Sequence, residues 1–260
     1  MFLRIKPFVY WFTPLVWLGY IFTIDGFVLS IKKTSLLQNK KKSLSIFLLS
    51  LLVWYLFEIV NKICKWSGWA YINLPESRLE TFLMGSLSFS TIIPAIFETK
   101  DLASIIFSNL KIKIKPKWYS FILTKNFVAL LLSLGIIFIL LPFFIISPWL
   151  WVFVWTGFIL LIDPLLYLQK NEKCILFLIK KKKWKTLLSI FFAGYICGFL
   201  WEFWNYWAYT KWVYTIPILE NIKIFEIPVI GFLAYGPFAL ELYDFYILLR
   251  FVRFKIKKWL

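Results

Sequence analysis

Seven apolar stretches constrain this chain more than any other feature of its sequence. Each reaches or approaches the ~20 residues that cross a bilayer as a helix. Hydrophobic residues make up 61% of the chain, compared with roughly half in an ordinary soluble protein. We therefore predict an all-α integral membrane protein with about seven transmembrane helices, the first of them a retained helix rather than a cleaved signal peptide. The predicted spans are 8–31, 43–62, 81–98, 127–146, 148–168, 187–206 and 228–249.

The basic residues alternate between the segments that connect these spans. The chain has 30 Lys and Arg against 13 Asp and Glu. Lysines are concentrated in 32–42, 99–126, 169–186 and the tail from Arg250, and are sparse in the other segments. Because basic loops stay on the cytoplasmic side, the alternation predicts an outside N-terminus and a cytoplasmic C-terminus, in a bacterial cytoplasmic membrane. The charge is thus explained by topology and anionic headgroups, and we expect no nucleic acid partner.

Histidine is absent and cysteine is scarce, which limits the available chemistry. The three cysteines, Cys64, Cys174 and Cys197, have no C-x-x-C spacing, so neither a disulfide framework nor a zinc site is supported. Without histidine, Ser-His and Cys-His catalytic pairs and haem ligation by histidine are excluded. Acid–base chemistry must therefore use Asp, Glu, Tyr or Lys, and we predict neither a cofactor nor a bound metal.

Two parts of the sequence match each other in order. WLGYIFTID at 17–25 matches WTGFILLID at 155–163, and PAIFE at 94–98 matches PFALE at 237–241. Ordered matches of this kind indicate an internal repeat of a three-helix unit.

The matches divide the chain into three parts. We predict one three-helix repeat in 1–110, a linker with the fourth span in 111–147, and a second repeat in 148–260. The linker adds one membrane crossing, so the two repeats are parallel and related by an axis along the membrane normal.

Glutamate and asparagine recur together inside two of the predicted helices. Glu58 precedes Asn61 by three residues, as Glu202 precedes Asn205, so each pair shares one helix face. Carboxylates inside a membrane are costly, face the protein interior and mark functional sites. We predict that Glu202 and its counterpart Glu58 are catalytic acids oriented by the asparagines. Glu202 is preferred because its repeat keeps more aromatic residues and more glycines, including Gly194 and Gly198, which allow close helix packing.

Four further acids are predicted to face the bundle: Asp25 and Asp163 near the ends of the first and fifth spans, and Glu98 and Glu241 on the third and seventh. A structural alternative is open for them. They would then pair with lysines at the membrane interface, or mark a helix end or kink.

Aromatic residues surround the preferred acid. The stretch GFLWEFWNYWAYTKW, 198–212, lies partly where a membrane-interface belt is expected, yet it is denser than anchoring requires. A buried acid among ring faces stays protonated, and ring faces stabilise a carbocation. We predict that the substrate contacts are Trp201, Trp204, Trp207, Trp212, Tyr214, Trp54, Trp69, Tyr71, Glu241 and Glu98.

Two stretches of the chain are LPESRLETFLMGSLSF, 74–89, and IFEIPVIGFLAYGPF, 224–238. Both are similar to a motif of membrane lycopene cyclases of the heterodimeric or fused type, in which Pro-x-Glu-Glu leads into a Phe- and Leu-rich span. Together with two three-helix units, they make the chain resemble that family distantly. Neither stretch has the Glu-Glu pair. The resemblance implies redox-neutral, proton-initiated chemistry on an isoprenoid, and it adds Glu80 and Glu226 to the candidate acids.

The leading hypothesis is a membrane protein that acts on a hydrophobic isoprenoid-like lipid, through cyclisation or isomerisation by a buried carboxylic acid. Two alternatives are open: a small transporter or lipid-translocating protein whose carboxylates carry protons or cations, and a structural membrane protein without a ligand. Membrane lipid and a hydrophobic small molecule are the expected partners, and the sequence leaves the oligomeric state open.

Overall fold

The protein is mostly helical in the computed structural model, which describes residues 5–110, 123–217 and 222–259, with side chains as far as 255. Seven helical segments within these ranges are long and apolar enough to cross a membrane, which confirms the predicted number and order of spans. The helices are α1 Phe8–Lys32, α2 Lys40–Ile63, α3 Arg78–Ser90, α4 Ile92–Ile106, α5 Lys125–Phe144, α6 Trp151–Leu168, α7 Ile175–Lys180, α8 Trp184–Trp207 and α9 Tyr235–Trp259.

The third span is longer than predicted and is built from two helices. α3 ends at Ser90 and α4 begins at Ile92, close to Pro94, which has no N–H to donate to the preceding turn. The helix then continues to Ile106, followed by a 3₁₀ turn at Phe107–Asn109. The start of the predicted loop 99–126 is therefore helical. Residues 111–122, which belong to that loop and to the predicted linker, lie outside the described residues.

Short strands at one end of the bundle were not predicted. β1, Trp69–Ile72, pairs antiparallel with β2, Lys211–Tyr214, so that Trp69 lies opposite Tyr214 and Tyr71 opposite Trp212. A second small sheet joins β3, Lys223–Ile224, to β4, Ile227–Pro228. Strands this short have too little periodicity to be recognised in a sequence. We call the end with the β1–β2 sheet the sheet end, and the opposite end, with segments 33–39 and 169–183, the lysine-rich end.

The close contact between α8 and α9 depends on glycine. A Cβ at Gly194 would lie 2.1 Å from the carbonyl oxygen of Tyr235, and one at Gly198 would lie 2.2 Å from Cγ of the same tyrosine. Neighbouring residues on α8, Ile190, Ala193 and Cys197, are each 0% exposed. Small residues allow two helices to approach in this way, and here they bring the first residue of α9 against the face of α8 that carries Glu202.

Candidate acid sites of the bundle

Glu202 is a fully buried acid with one partnered and one unpartnered oxygen. The side chain is 0% exposed. Its Oε1 accepts hydrogen bonds from the hydroxyls of Tyr214, at 2.7 Å, and Tyr235, at 2.5 Å. Its Oε2 has no hydrogen-bond partner among the described residues. β2 supplies Tyr214 and the start of α9 supplies Tyr235, so the site forms only when strand and helix are both in place.

Asn205 holds β2 against the end of α8. Its Oδ1 accepts from the backbone N–H of Trp212 at 3.0 Å, and its Nδ2 donates to the Trp212 carbonyl at 2.9 Å. The asparagine was expected to orient Glu202 directly. Its amide binds the strand instead, and the strand then places Tyr214 two residues later on the acid.

Asn61 holds β1 in the same manner. Its Oδ1 accepts from the backbone N–H of Gly68 at 2.6 Å, and its Nδ2 donates to the Trp69 carbonyl at 3.0 Å. Tyr71, two residues after Trp69, then reaches Glu58 with its hydroxyl at 2.5 Å. The two predicted Glu–Asn pairs therefore have matching surroundings, in which the asparagine binds a strand and a tyrosine of that strand binds the glutamate.

Glu58 differs from Glu202 in the number of its donors and in its exposure. Its Oε1 accepts from the ring N–H of Trp54 at 2.9 Å and of Trp69 at 3.1 Å, in addition to Tyr71. The residue is only half-buried. Several donors on one oxygen stabilise a carboxylate, so this site is suited to holding negative charge.

The tyrosines of the two strands are donors that keep their protons. Burial raises the pKa of Tyr214 well above its usual value. Burial and the charge of Glu58 raise the pKa of Tyr71 in the same way. Both phenols therefore act as hydrogen-bond donors at ordinary pH, because their charged forms are disfavoured.

Aromatic rings of α1 and α8 pack beside Glu202. The Trp17 ring centroid lies 5.3 Å from that of Trp201 and 4.7 Å from that of Trp204. Trp201 also lies 6.0 Å from the ring of Tyr235. Trp17 was not predicted as a site residue, although it opens the matched stretch WLGYIFTID, and that position was the available signal.

A second aromatic cluster lies beside Glu58. The Trp69 ring is 6.0 Å from Trp54 and 5.8 Å from Trp155 of α6. Trp155 also stacks on Phe57 at 5.0 Å. Trp155 opens the stretch WTGFILLID and was likewise missed, so the first residues of both matched stretches lie at the acid sites.

Other predicted site residues at the sheet end have different surroundings. Glu226 forms an ion pair with Lys211. Glu80 lies in the first turn of α3 and accepts from the ring N–H of Trp11 at 3.0 Å. Trp207 is 47% exposed, as a membrane-interface residue would be.

Asp25 binds the chain that follows its own helix. Its oxygens accept from the backbone N–H of Leu37 and the hydroxyl of Ser35, each at 2.9 Å. Asp163 accepts from the backbone N–H of Ile175, and from that of Leu176 at 2.9 Å. Neither aspartate ends its helix, and no lysine pairs with either among the described ion pairs.

Three buried acids have no hydrogen-bond partner of regular geometry among the described residues. Glu98, Glu241 and Asp244 are each 0% exposed, and none of their carboxyl oxygens has a partner in the described residues. Asp244 was missed, although Glu-x-x-Asp occurs both at 98–101 and at 241–244. Asp101 instead pairs with Lys100 at 2.9 Å.

Within the described ranges, no group of three or more His, Cys, Asp or Glu is arranged to hold a metal ion. No protein-family model, no curated protein and no solved structure matches the chain. Its function must therefore be argued from the sites themselves.

Proposed function

We propose that this chain is an integral-membrane enzyme that acts on a hydrophobic isoprenoid-like lipid, with Glu202 as the acid that starts a cyclisation or isomerisation. The arrangement of the two oxygens of Glu202 supports the proposal. A buried carboxyl without a basic partner is held as the neutral acid, because its charged form is costly in a membrane. Both tyrosine hydroxyls donate to Oε1, so the acidic proton resides on Oε2, the oxygen with no partner among the described residues.

The chemistry of such an acid is redox-neutral. Its proton adds to one carbon of a double bond, whose electron pair forms the new C–H bond, and the neighbouring carbon becomes a cation. A second double bond attacks the cation in a cyclisation, whereas in an isomerisation the double bond only shifts. A proton is then lost from an adjacent carbon to the carboxylate. Trp201 and Trp17 supply ring faces near the cation, and Tyr214 and Tyr235 stabilise the carboxylate between the two transfers.

The proposal includes the finer architecture. The matching asparagine–strand contacts support two parallel three-helix units, 1–110 and 148–260, joined through the fourth span. The lysines of 32–42 and 169–186 support a cytoplasmic lysine-rich end and an outward-facing sheet end. The distant resemblance to membrane lycopene cyclases belongs to the same proposal, since it concerns the substrate class.

The test is a pigment and lipid profile of a bacterial host that accumulates lycopene, with and without the protein. We expect a new product of unchanged mass. Glu202→Gln should reduce the product about 100-fold or more, because general acid catalysis typically contributes that much. Glu172→Gln is the matched control, since the Glu172 side chain is 72% exposed.

Two outcomes would count against the proposal. Undiminished product from Glu202→Gln would remove this acid from the mechanism. An unchanged profile, with the protein verified in the membrane, would exclude lycopene as substrate and shift support to the second candidate.

The second candidate is a proton- or cation-coupled transporter or lipid-translocating protein. The unpartnered acids Glu98, Glu241 and Asp244 favour it, because intramembrane carboxyls of this kind carry protons in transporters. Under this hypothesis, purified protein in proteoliposomes would dissipate an imposed pH gradient. The enzyme hypothesis does not require such proton transport, so the measurement separates the two candidates.

A further inference from the structure

Three buried carboxyl groups, those of Asp163, Glu241 and Asp244, lie on the packed helices α6 and α9. Asp244 lies beside Asp163 across the two helices, close enough to interact although without a hydrogen bond of regular geometry. Glu241 lies three residues before Asp244 on α9, so their side chains are neighbours on the helix surface. Asp163 is 4% exposed, and the other two are 0% exposed. We call these three residues the carboxyl row.

The positions of the protons in the carboxyl row follow from its hydrogen bonds. Both oxygens of Asp163 accept backbone N–H groups of α7, which stabilises its charged form. No lysine or arginine pairs with the row among the described ion pairs. Three buried negative charges without a cation are prohibitively costly. Asp244 and Glu241 are therefore neutral acids, each carrying a proton that can be transferred.

The groups next to Asp163 do not supply the missing charge. Cys174, just before α7, is 0% exposed, and burial raises the pKa of its thiol, so that the thiol stays neutral. The hydroxyl of Tyr243 donates to the carbonyl of Lys173 at 3.0 Å and so is turned toward the lysine-rich end. Asp163, at 4% exposed, is the least buried member of the carboxyl row, and its backbone partners Ile175 and Leu176 place it near that end.

The other end of the carboxyl row enters the aromatic cluster at Glu58. Phe238 and Phe245 lie three residues before and four residues after Glu241, on the same face of α9. The Phe238 ring is 6.3 Å from that of Trp54, and Trp54 donates to Glu58 at 2.9 Å. Glu241 thus lies between the acids of the lysine-rich half and the cluster around Glu58.

We propose that Asp163, Asp244 and Glu241 form a proton relay that connects the lysine-rich end with the aromatic cluster at Glu58. Glu241 passes its proton to the Glu58 carboxylate in the cluster, where the new O–H bond forms, and then accepts the proton of Asp244. Asp163, protonated from water at the lysine-rich end, then returns a proton to Asp244. Each transfer breaks one O–H bond and forms another, so no electrons are exchanged. The relay supplies protons from one side of the membrane, and it does not depend on the role of Glu202.

Exchange of the carboxyl protons tests the relay without a substrate. Purified full-length protein in lipid nanodiscs is moved from H₂O to D₂O, and infrared spectroscopy follows the C=O band of the protonated acids. The band lost in Glu241→Gln identifies Glu241. We expect Asp244→Asn to slow deuteration of Glu241 about ten-fold or more. The amide cannot pass on a proton, and a proton that crosses the apolar core without a carboxyl carrier is a bare charge, which is costly there.

Asp101→Asn is the matched control, since Asp101 occupies the same place in the other Glu-x-x-Asp segment but is paired with Lys100. It should leave the exchange rate of Glu241 unchanged. Asp163→Asn interrupts the carboxyl row at its entrance and should also slow exchange, which provides a second variant if Asp244→Asn folds poorly.

Equal exchange rates in wild type and Asp244→Asn would refute the relay, and so would the absence of any band lost in Glu241→Gln. Neither measurement involves product formation, so failure of the relay is distinguishable from failure of the proposed function.

Discussion

Gly198→Ala tests whether close packing of α8 and α9 sets the geometry of the Glu202 site. The added Cβ would lie 2.2 Å from Cγ of Tyr235, whereas carbon atoms in contact are about 3.5 Å apart. The ring must therefore retreat by about 1.3 Å. Because the Tyr235 hydroxyl is 2.5 Å from Glu202, a shift of that size along the bond lengthens it beyond hydrogen-bonding distance.

The expected loss of stability combines three effects. Overpacking at Gly198 costs about 1–3 kcal/mol, and loss of the Tyr235 hydrogen bond costs about 0.5–1.5 kcal/mol. The higher helix propensity of alanine returns about 1 kcal/mol. The free energy of unfolding should therefore fall by about 0.5–3.5 kcal/mol, and the melting temperature by about 1–14 °C for a chain of this size.

Tryptophan fluorescence during heating, in detergent or nanodiscs, measures this change. Gly19→Ala is the matched control, because a Cβ at Gly19 meets nothing within 4 Å. Its melting temperature should equal or exceed that of the wild type. Tyr235→Phe separates the two costs, since it removes the hydrogen bond without overpacking. A Gly198→Ala protein that melts with the wild type would refute the argument that this contact positions Tyr235.

Three other predictions concern the Asn205 contact, the burial of Cys64 and the orientation of the chain. Asn205→Ala leaves the N–H and C=O of Trp212 unpaired and should lower the unfolding free energy by about 1–3 kcal/mol, measured by the same melting assay. An unchanged melting temperature would contradict this. Burial raises the pKa of the Cys64 thiol to about 11 from 9.0. Because only the thiolate reacts, alkylation of Cys64 by iodoacetamide at pH 8 should be about 100-fold slower than in the unfolded chain. Equal alkylation rates would contradict this. The proposed orientation places the C-terminus in the cytoplasm. A green fluorescent protein fused there should therefore fluoresce, and a phosphatase that is active only outside the cytoplasm should be inactive. The reverse pattern would overturn the proposed orientation.

The seven spans could be predicted because lipid leaves a chain few choices. In hydrocarbon, backbone groups must be satisfied inside each segment, so an apolar run of about 20 residues forms a helix. The end of the third span was harder to locate, because helix α4 continues into residues that a hydropathy pattern assigns to a loop. The predicted boundary at 98 was therefore short of Ile106.

The acids could be identified by residue type, but their partners could not. Glu202, Glu58 and the tyrosines of 71 and 214 were all predicted as site residues. The donation of Tyr71 and Tyr214 to these acids depends on a strand pairing between residues more than 100 positions apart. Tyr235 was missed although it lies in the stretch 224–238, because its approach to Glu202 depends on Gly198 of another helix.

The sequence by itself determined the number and order of the spans, the alternation of basic loops, and the presence of acids inside the helices. These properties are local, because each follows from the transfer of one segment into lipid. Only the tertiary structure decided that Asn61 and Asn205 bind strands, that Glu202 keeps one oxygen without a partner, and that Asp244 joins Asp163 and Glu241. Such contacts join distant segments through side-chain packing and hydrogen bonds, which the pattern of a single segment does not encode.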